Sequence, residues 1–142
     1  MNIVRIIVAI ILGLVIGGAV NMGLIMLGSS IIPAPDGVDV QDVDSIAGAM
    51  HLFQPKHFLF PFLAHAGGTL VGALAGHLIA GTHRNVVAYI IGAAFFAGGI
   101  AAATMIPAPT WFTIGDLVLS YFPMALIATI IGTRIRAIEA DA

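Results

Sequence analysis

Three polar side chains, Asn21, His65 and Asp116, lie within stretches of the sequence that are otherwise apolar. A polar group is costly to place in hydrocarbon, so it faces neighbouring helices or a water-filled path and often marks a route for a solute or a proton. At a helical rise of about 1.5 Å per residue, His65 and Asp116 lie roughly 10 Å and roughly 6 Å below one surface, with Asn21 beneath them. An imidazole beside a carboxylate can bind or pass a proton. The sequence therefore predicts a candidate polar site of these three residues in the outer half of a helical bundle.

Each of these three residues also has a purely structural interpretation. Residues 113–116 (TIGD) fit a capping box, in which the Asp116 side chain binds the first free amides of a helix. Asn21 is explained equally by a hydrogen bond between two helices. His65 is explained by a hydrogen-bonded position in a helix core. The sequence alone leaves these alternatives open.

A metal site is a further alternative for the histidines near the same surface. His51, His57 and His65, with Asp116, offer nitrogen and oxygen ligands of the kind that zinc accepts. No compact ligand spacing such as His-x3-His accompanies them, and bis-histidine haem ligation would need facing histidines from different spans. We therefore expect no metal and no cofactor.

The composition indicates that lipid is the solvent of this chain. Of its 142 residues 60% are hydrophobic and 8% are charged, against about 25% charged residues in an ordinary soluble domain. Five basic and seven acidic residues cannot cover a water-soluble globule of this length. A net charge of −2 without a basic block also excludes nucleic acid as a partner.

Four apolar stretches are long enough to cross a bilayer, which takes about 20 helical residues. They cover residues 6–31, 58–80, 86–106 and 112–133. Backbone amides in hydrocarbon must bond within their own segment, so these spans are helices. The prediction is an all-α polytopic membrane protein, a four-transmembrane-helix bundle forming one domain over residues 1–142. The first stretch is too long for a signal peptide and is expected to stay as an uncleaved span.

The positive residues predict the orientation. Arg5, Arg84, Arg134 and Arg136 flank the spans on one side of this topology, and Lys56 lies on the other. Positive residues in short flanks favour the cytoplasmic side. Both termini are therefore expected in the cytoplasm, with the acidic loop outside.

The outer loop, residues 33–56, is the longest polar segment between spans. Asp44 or Ser45 is a suitable cap for a short helix that continues to about Leu52. The apolar residues of this helix would let it lie along the membrane interface.

Two short motifs recur at corresponding places. Ile-Pro-Ala-Pro occurs at 32–35 and 106–109, and Phe-Pro occurs at 60–61 and 122–123. The recurrence is compatible with two parallel helical hairpins, and proline that ends helices at membrane exits explains it without a repeat. Pro61 and Pro123 are each expected to kink a span.

Small residues four positions apart form seams on three of the predicted spans. The seams are Gly13 and Gly17 in the first span, Gly68, Gly72 and Gly76 in the second, and Ala94, Gly98 and Ala102 in the third. Such seams allow the close helix packing that drives association in lipid. His65 lies on the same face as the seam of the second span.

Three segments resemble a group of uncharacterised small bacterial four-span inner-membrane proteins. The segments are residues 51–58 (HLFQPKHF), 60–65 (FPFLAH) and 107–112 (PAPTWF). The resemblance implies a bacterial cytoplasmic (inner) membrane, and it brings no activity or catalytic residues with it. The small multidrug exporters share the size and span number, but no span here contains their membrane-embedded glutamate.

These features favour a small membrane protein without enzymatic activity, because no nucleophile, phosphate-loop or metalloprotease motif is present. We expect an accessory, assembly or structural subunit whose helices contact the lipid bilayer and other membrane proteins or a second copy of the chain. The alternative is a homo-oligomeric transporter or channel for a small solute or ion, with its polar site in the outer half of the bundle. The two differ in whether His65 faces a cavity or a dry helix contact.

Overall fold

The computed structural model describes residues 2–141, which fold into six α-helices and two short 3-10 turns without a strand among them. The helices are α1 (Asn2–Ile31), α2 (Val43–Ala49), α3 (Leu59–Ile79), α4 (Arg84–Met105), α5 (Thr110–Leu119) and α6 (Phe122–Ala140). Four segments are long and apolar enough to span a membrane, namely Asn2–Ile31, Pro55–Ile79, Arg84–Met105 and Thr110–Ala140. The predicted all-α four-span bundle is confirmed.

The central helix is α3, which packs against α1, α4 and α6. Its contact with α1 is the most extensive in the structure. A Cβ atom added to Gly17 would lie 2.5 Å from the carbonyl oxygen of Gly68, and one added to Gly72 would lie 2.6 Å from that of Gly13. Neither distance is sterically allowed, so the glycines let the two backbones approach directly.

The small residues of α4 are used differently from the seam that the sequence suggested. A Cβ atom added to Gly98 would meet no atom within 4 Å, and Ala94 is exposed. The helix packs instead through Gly92, whose added Cβ would lie 2.8 Å from Ala125, and through Gly99, which lies against Tyr121. Ala94 and Gly98 of the predicted seam therefore face outward, whereas Ala102 is partly buried and lines a cavity.

The fourth span is broken into α5 and α6. The first part ends at Leu119, and the second begins at Phe122 with Pro123 in its first turn. The second helix continues to Ala140, past the predicted end at residue 133, because the charged residues that end the apolar stretch do not end the helix. Pro61 causes no such break, since it lies in the first turn of α3, where a missing amide costs no hydrogen bond.

The outer loop contains α2, followed by 3-10 turns at Met50–Leu52 and Pro55–Phe58. The cap of α2 is Asp42, whose carboxylate accepts the amide of Asp44 at 3.0 Å. The predicted cap at Asp44 or Ser45 is wrong by two or three residues. The Ser45 hydroxyl instead accepts the amide of Asp39, which closes the preceding turn.

Candidate functional site

His65 on α3 and Asp116 on α5 form a direct pair. The imidazole Nδ1 lies 2.8 Å from Oδ2 of the carboxylate. Asp116 is 5% exposed, and the side chain of His65 is 23% exposed. A buried carboxylate is stabilised only when donors satisfy its oxygens, so this pairing is a central feature of the bundle.

Two further donors complete the environment of Asp116. The Ser120 hydroxyl donates to Oδ1 at 2.8 Å, and the Tyr121 hydroxyl donates to Oδ2 at 3.1 Å. Both donors lie at the break between α5 and α6. The capping-box interpretation is wrong, because α5 begins at Thr110 and Asp116 lies one and a half turns inside it.

The pairing determines which atoms of His65 are available. When the carboxylate of Asp116 is ionised it only accepts hydrogen bonds, and Nδ1 is then the donor. In the neutral imidazole Nε2 is then an acceptor, and it has no hydrogen-bond partner within residues 2–141. The Thr69 hydroxyl bonds to the backbone carbonyl of His65 at 2.8 Å and leaves the ring unengaged.

His65 and Asp116 lie on the wall of a cavity of about 290 Å³, here called the outer cavity. Most of its surface is apolar and is contributed by the outer loop, α1, α4 and α5. Its lining consists of Ile25, Val40, Ile46, Met50, Phe53, His57, Phe58, Pro61, His65, Ala102, Ala103, Ile106, Pro107, Ala108, Phe112, Thr113, Asp116 and Leu117. The cavity thus combines apolar walls with one convergent polar pair.

Asn21 lies near this pair but is not joined to it. Its Cβ atom packs against Gly68, one turn along α3 from His65. Within residues 2–141 its buried Oδ1 has no hydrogen-bond partner. The predicted three-residue site is therefore a His65–Asp116 pair, with Asn21 in the neighbouring helix contact.

The outer histidines do not converge on a metal position. Within residues 2–141, no three His, Cys, Asp or Glu side chains are arranged so that they could hold a metal ion. Nδ1 of His57 accepts the amide of Gln54 at 2.8 Å and so closes the turn that leads into α3. His51 is exposed in the outer loop.

Sequence reasoning missed Tyr121 as a member of the site. In a continuous helix, positions five residues apart differ by about 140° around the axis, so Tyr121 would face away from Asp116. The break at Ser120 and Tyr121 removes this restriction. The prolines at 109 and 123 were the only sequence signal that the segment between them is a separate helix.

Together, the fold and the outer cavity define an integral membrane protein with four spans and a polar pair inside the bundle. Comparisons with protein families, curated proteins and solved structures gave no match to this chain. The resemblance to small bacterial four-span proteins stays a prediction from the sequence.

Proposed function

We propose that the outer cavity is the substrate site of a small transporter or channel, and that the substrate is an amphiphilic cation: an amine on an apolar body. The single observation that carries this proposal is the position of the His65–Asp116 pair on a cavity wall. A dry contact between helices would have favoured a structural role alone.

The charge of the cavity favours a cation. Asp116 is the acidic side chain of the lining, and no Lys or Arg is among the lining residues. An ammonium group would find the free Nε2 of His65 as an acceptor beside the carboxylate. The apolar lining would hold the remainder of the molecule. A volume of about 290 Å³ lies just below the usual range for small-molecule pockets, about 300–1,000 Å³, which favours a small ligand.

The broken fourth span supports transport over simple binding. Discontinuous helices are a common way to build a substrate site inside a membrane, because unwound backbone is tolerated only where protein or a cavity surrounds it. Ser120 and Tyr121 lie at the break, and both bond to Asp116. A change in the occupancy of the carboxylate would therefore act directly on the junction of α5 and α6.

Benzylamine is a suitable probe of the site, and benzyl alcohol is the matching control without the positive charge. Methyl NMR signals would be followed for Met50, which lines the cavity, and for Met22, which is 58% exposed on α1. We expect saturable benzylamine shifts at Met50 only, weakened roughly tenfold by Asp116→Asn, as for the loss of one charge-assisted contact. Equal shifts at both methionines would indicate partition into the micelle and contradict the proposal.

Transport is measured separately in proteoliposomes. Benzyltrimethylammonium is permanently charged, so the bilayer excludes it. It has no N–H donor, so it tests the charge contact with the Asp116 carboxylate and not the hydrogen bond to His65. Uptake is expected with the natural sequence and with the control His83→Gln, and it should be lost in Asp116→Asn. Uptake that persists in Asp116→Asn would remove the cavity as the substrate site.

For orientation and location, we propose the bacterial cytoplasmic membrane with both termini in the cytoplasm. Three arginines from α1, α4 and α6 meet at one end of the bundle, and the acidic outer loop lies at the other. The positive-inside rule then places the arginine end in the cytoplasm. The resemblance in the outer segments supports a bacterial source.

A second candidate function, the accessory or structural subunit without enzymatic activity, is favoured by the outward face of α4. Ala94, Ala97 and Gly98 are exposed there, with open space at Gly98. Small residues are typical of contacts between membrane helices, with a second copy as the simplest partner. Because the chain has no cysteine, Gly98→Cys can be tested for disulfide dimers against Ile100→Cys, a control on the same helix. Equal cross-linking of both would argue against this face.

A further inference from the structure

Three arginines from three helices converge on the end of α3 that is opposite to the outer cavity. Arg5 Nε donates to the carbonyl of residue 79 at 2.8 Å, and Arg84 Nε donates to that of residue 80 at 3.1 Å. Arg136 Nη2 donates to the carbonyl of residue 78. These bonds satisfy the carbonyls that a helix end leaves free, at the negative end of its dipole.

The same arginines bring more positive charge than this end of the bundle neutralises. A guanidinium has five N–H donors, and the three carbonyl bonds use one donor each. The acidic partner at this place is Glu139, which lies 3.3 Å from Arg136 Nη1 and is largely exposed. Several donors of Arg84 and Arg136 are therefore free for an anion.

Arg84 and Arg136 lie on the wall of an open pocket of about 430 Å³, here called the basic pocket. Residues 81–86, His77 and Thr133 form the rest of its lining. The 22-residue helix α4 begins within this lining, and no side chain caps its first amides. The amides that precede residue 87 thus add the positive end of a helix dipole to the two guanidinium groups.

His77 contributes a buried ring to the wall of the basic pocket. It is 2% exposed, and its buried Nδ1 has no hydrogen-bond partner among the residues that the structure describes. The Cδ2–Nε2 edge of its ring packs on Gly132, so Nδ1 lies on the opposite edge. Nδ1 has no exposed surface, so the donors available to an occupant of the pocket are those of the arginines and of the first turn of α4.

We propose that the basic pocket binds a phosphate group. Two guanidinium groups and a free helix N-terminus are the donors that phosphate prefers. The pocket lies where α3 ends and α4 begins, which is headgroup depth for these spans. Both an anionic lipid headgroup and a free phosphate have the required chemistry. This site is separate from the outer cavity and does not depend on the function proposed for it.

Native mass spectrometry of the full chain in detergent tests this proposal. Phosphatidylglycerol is titrated against phosphatidylcholine, first alone and then with millimolar inorganic phosphate. One phosphatidylglycerol should bind preferentially. The variant Arg84→Gln should weaken its binding roughly tenfold. Arg134→Gln makes the same charge change on an exposed residue outside the pocket and should weaken binding less than about twofold.

A variant that binds the lipid more tightly cannot be explained by loss of the fold, so one such variant is included. Glu139→Gln removes the acid that competes for Arg136, at an exposed position, so it should tighten phosphatidylglycerol binding. Equal weakening by Arg84→Gln and Arg134→Gln, or no tightening by Glu139→Gln, would overturn the proposal. If inorganic phosphate competes with the lipid, the free anion is a ligand of the pocket. If phosphatidylglycerol binds and phosphate does not compete with it, the ligand is the lipid headgroup.

Discussion

The carboxylate of Asp116 accepts hydrogen bonds from His65, Ser120 and Tyr121, which lie on two different spans. Loss of one donor leaves a buried charged group with fewer partners, which costs more than an ordinary hydrogen bond contributes.

We predict strong coupling between His65→Ala and Asp116→Ala in thermal unfolding in detergent. Each single variant should lose on the order of 1–3 kcal/mol, because its partner is left poorly satisfied. The double variant should lose less than the sum. A parallel cycle of Asp116→Ala with His83→Ala should be additive, since His83 is exposed and distant from the carboxylate. Additivity in both cycles would mean that the pair contributes nothing as a pair.

Substitution of Asn21 is predicted to change the stability in the opposite direction. Its buried Oδ1 has no partner in the part of the chain that the structure describes, so Asn21→Leu removes an unsatisfied acceptor at similar volume. The free energy of unfolding should be unchanged or should rise by about 1 kcal/mol. A loss of stability in the same assay would show that Asn21 bonds a neighbouring group and would restore the structural interpretation.

At this scale the sequence predicts depth better than contact. The similar depth of His65 and Asp116 follows from the helical rise alone, and the structure brings the two together. Asn21 was placed at a suitable depth as well, but its side chain packs on Gly68. The rotation of one helix relative to another depends on packing of the whole bundle, which no single helix encodes.

The contact of α1 with α3 depends on glycine at a few positions. We predict that Gly17→Ala lowers stability by about 1–3 kcal/mol, because its Cβ would meet the carbonyl oxygen of Gly68 at 2.5 Å. The adjacent Gly18→Ala adds the same atom in open space and should be neutral or slightly stabilising. Equal effects of the two variants on thermal unfolding would contradict the direct approach of the two backbones.

The helix limits were predicted well where the length of an apolar stretch determines them. They were predicted poorly where a local break divides such a stretch. The first three spans agree with their predicted limits within four residues. The fourth span reads as one apolar stretch, yet it divides at Ser120 and Tyr121. At the break, Ser120 and Tyr121 bond to Asp116 in the preceding helix, and Tyr121 packs on Gly99 of α4, a contact that only the packed bundle provides.

At the scale of the whole molecule, charge and apolar surface separate cleanly. Large apolar side chains such as Ile3, Val15 and Met105 are more than half exposed, as expected for a surface that faces lipid. The arginines of α1, α4 and α6 gather at one end of the bundle, although they are far apart in sequence. The positive flanks predicted this common side, but the convergence on the carbonyls of α3 required the packed structure.

This separation predicts the orientation of the chain, and paired cysteines can test it. Because the natural sequence has no cysteine, each variant carries a single thiol. Asp36→Cys lies in the outer loop, and Asp141→Cys follows α6 at the arginine end; both positions are exposed. In intact cells a membrane-impermeant maleimide should label Asp36→Cys and leave Asp141→Cys unlabelled until the membrane is opened, because four arginines against one lysine favour a cytoplasmic terminus. Labelling of Asp141→Cys in intact cells would reverse the orientation, and it would place the basic pocket outside and the outer cavity towards the cytoplasm.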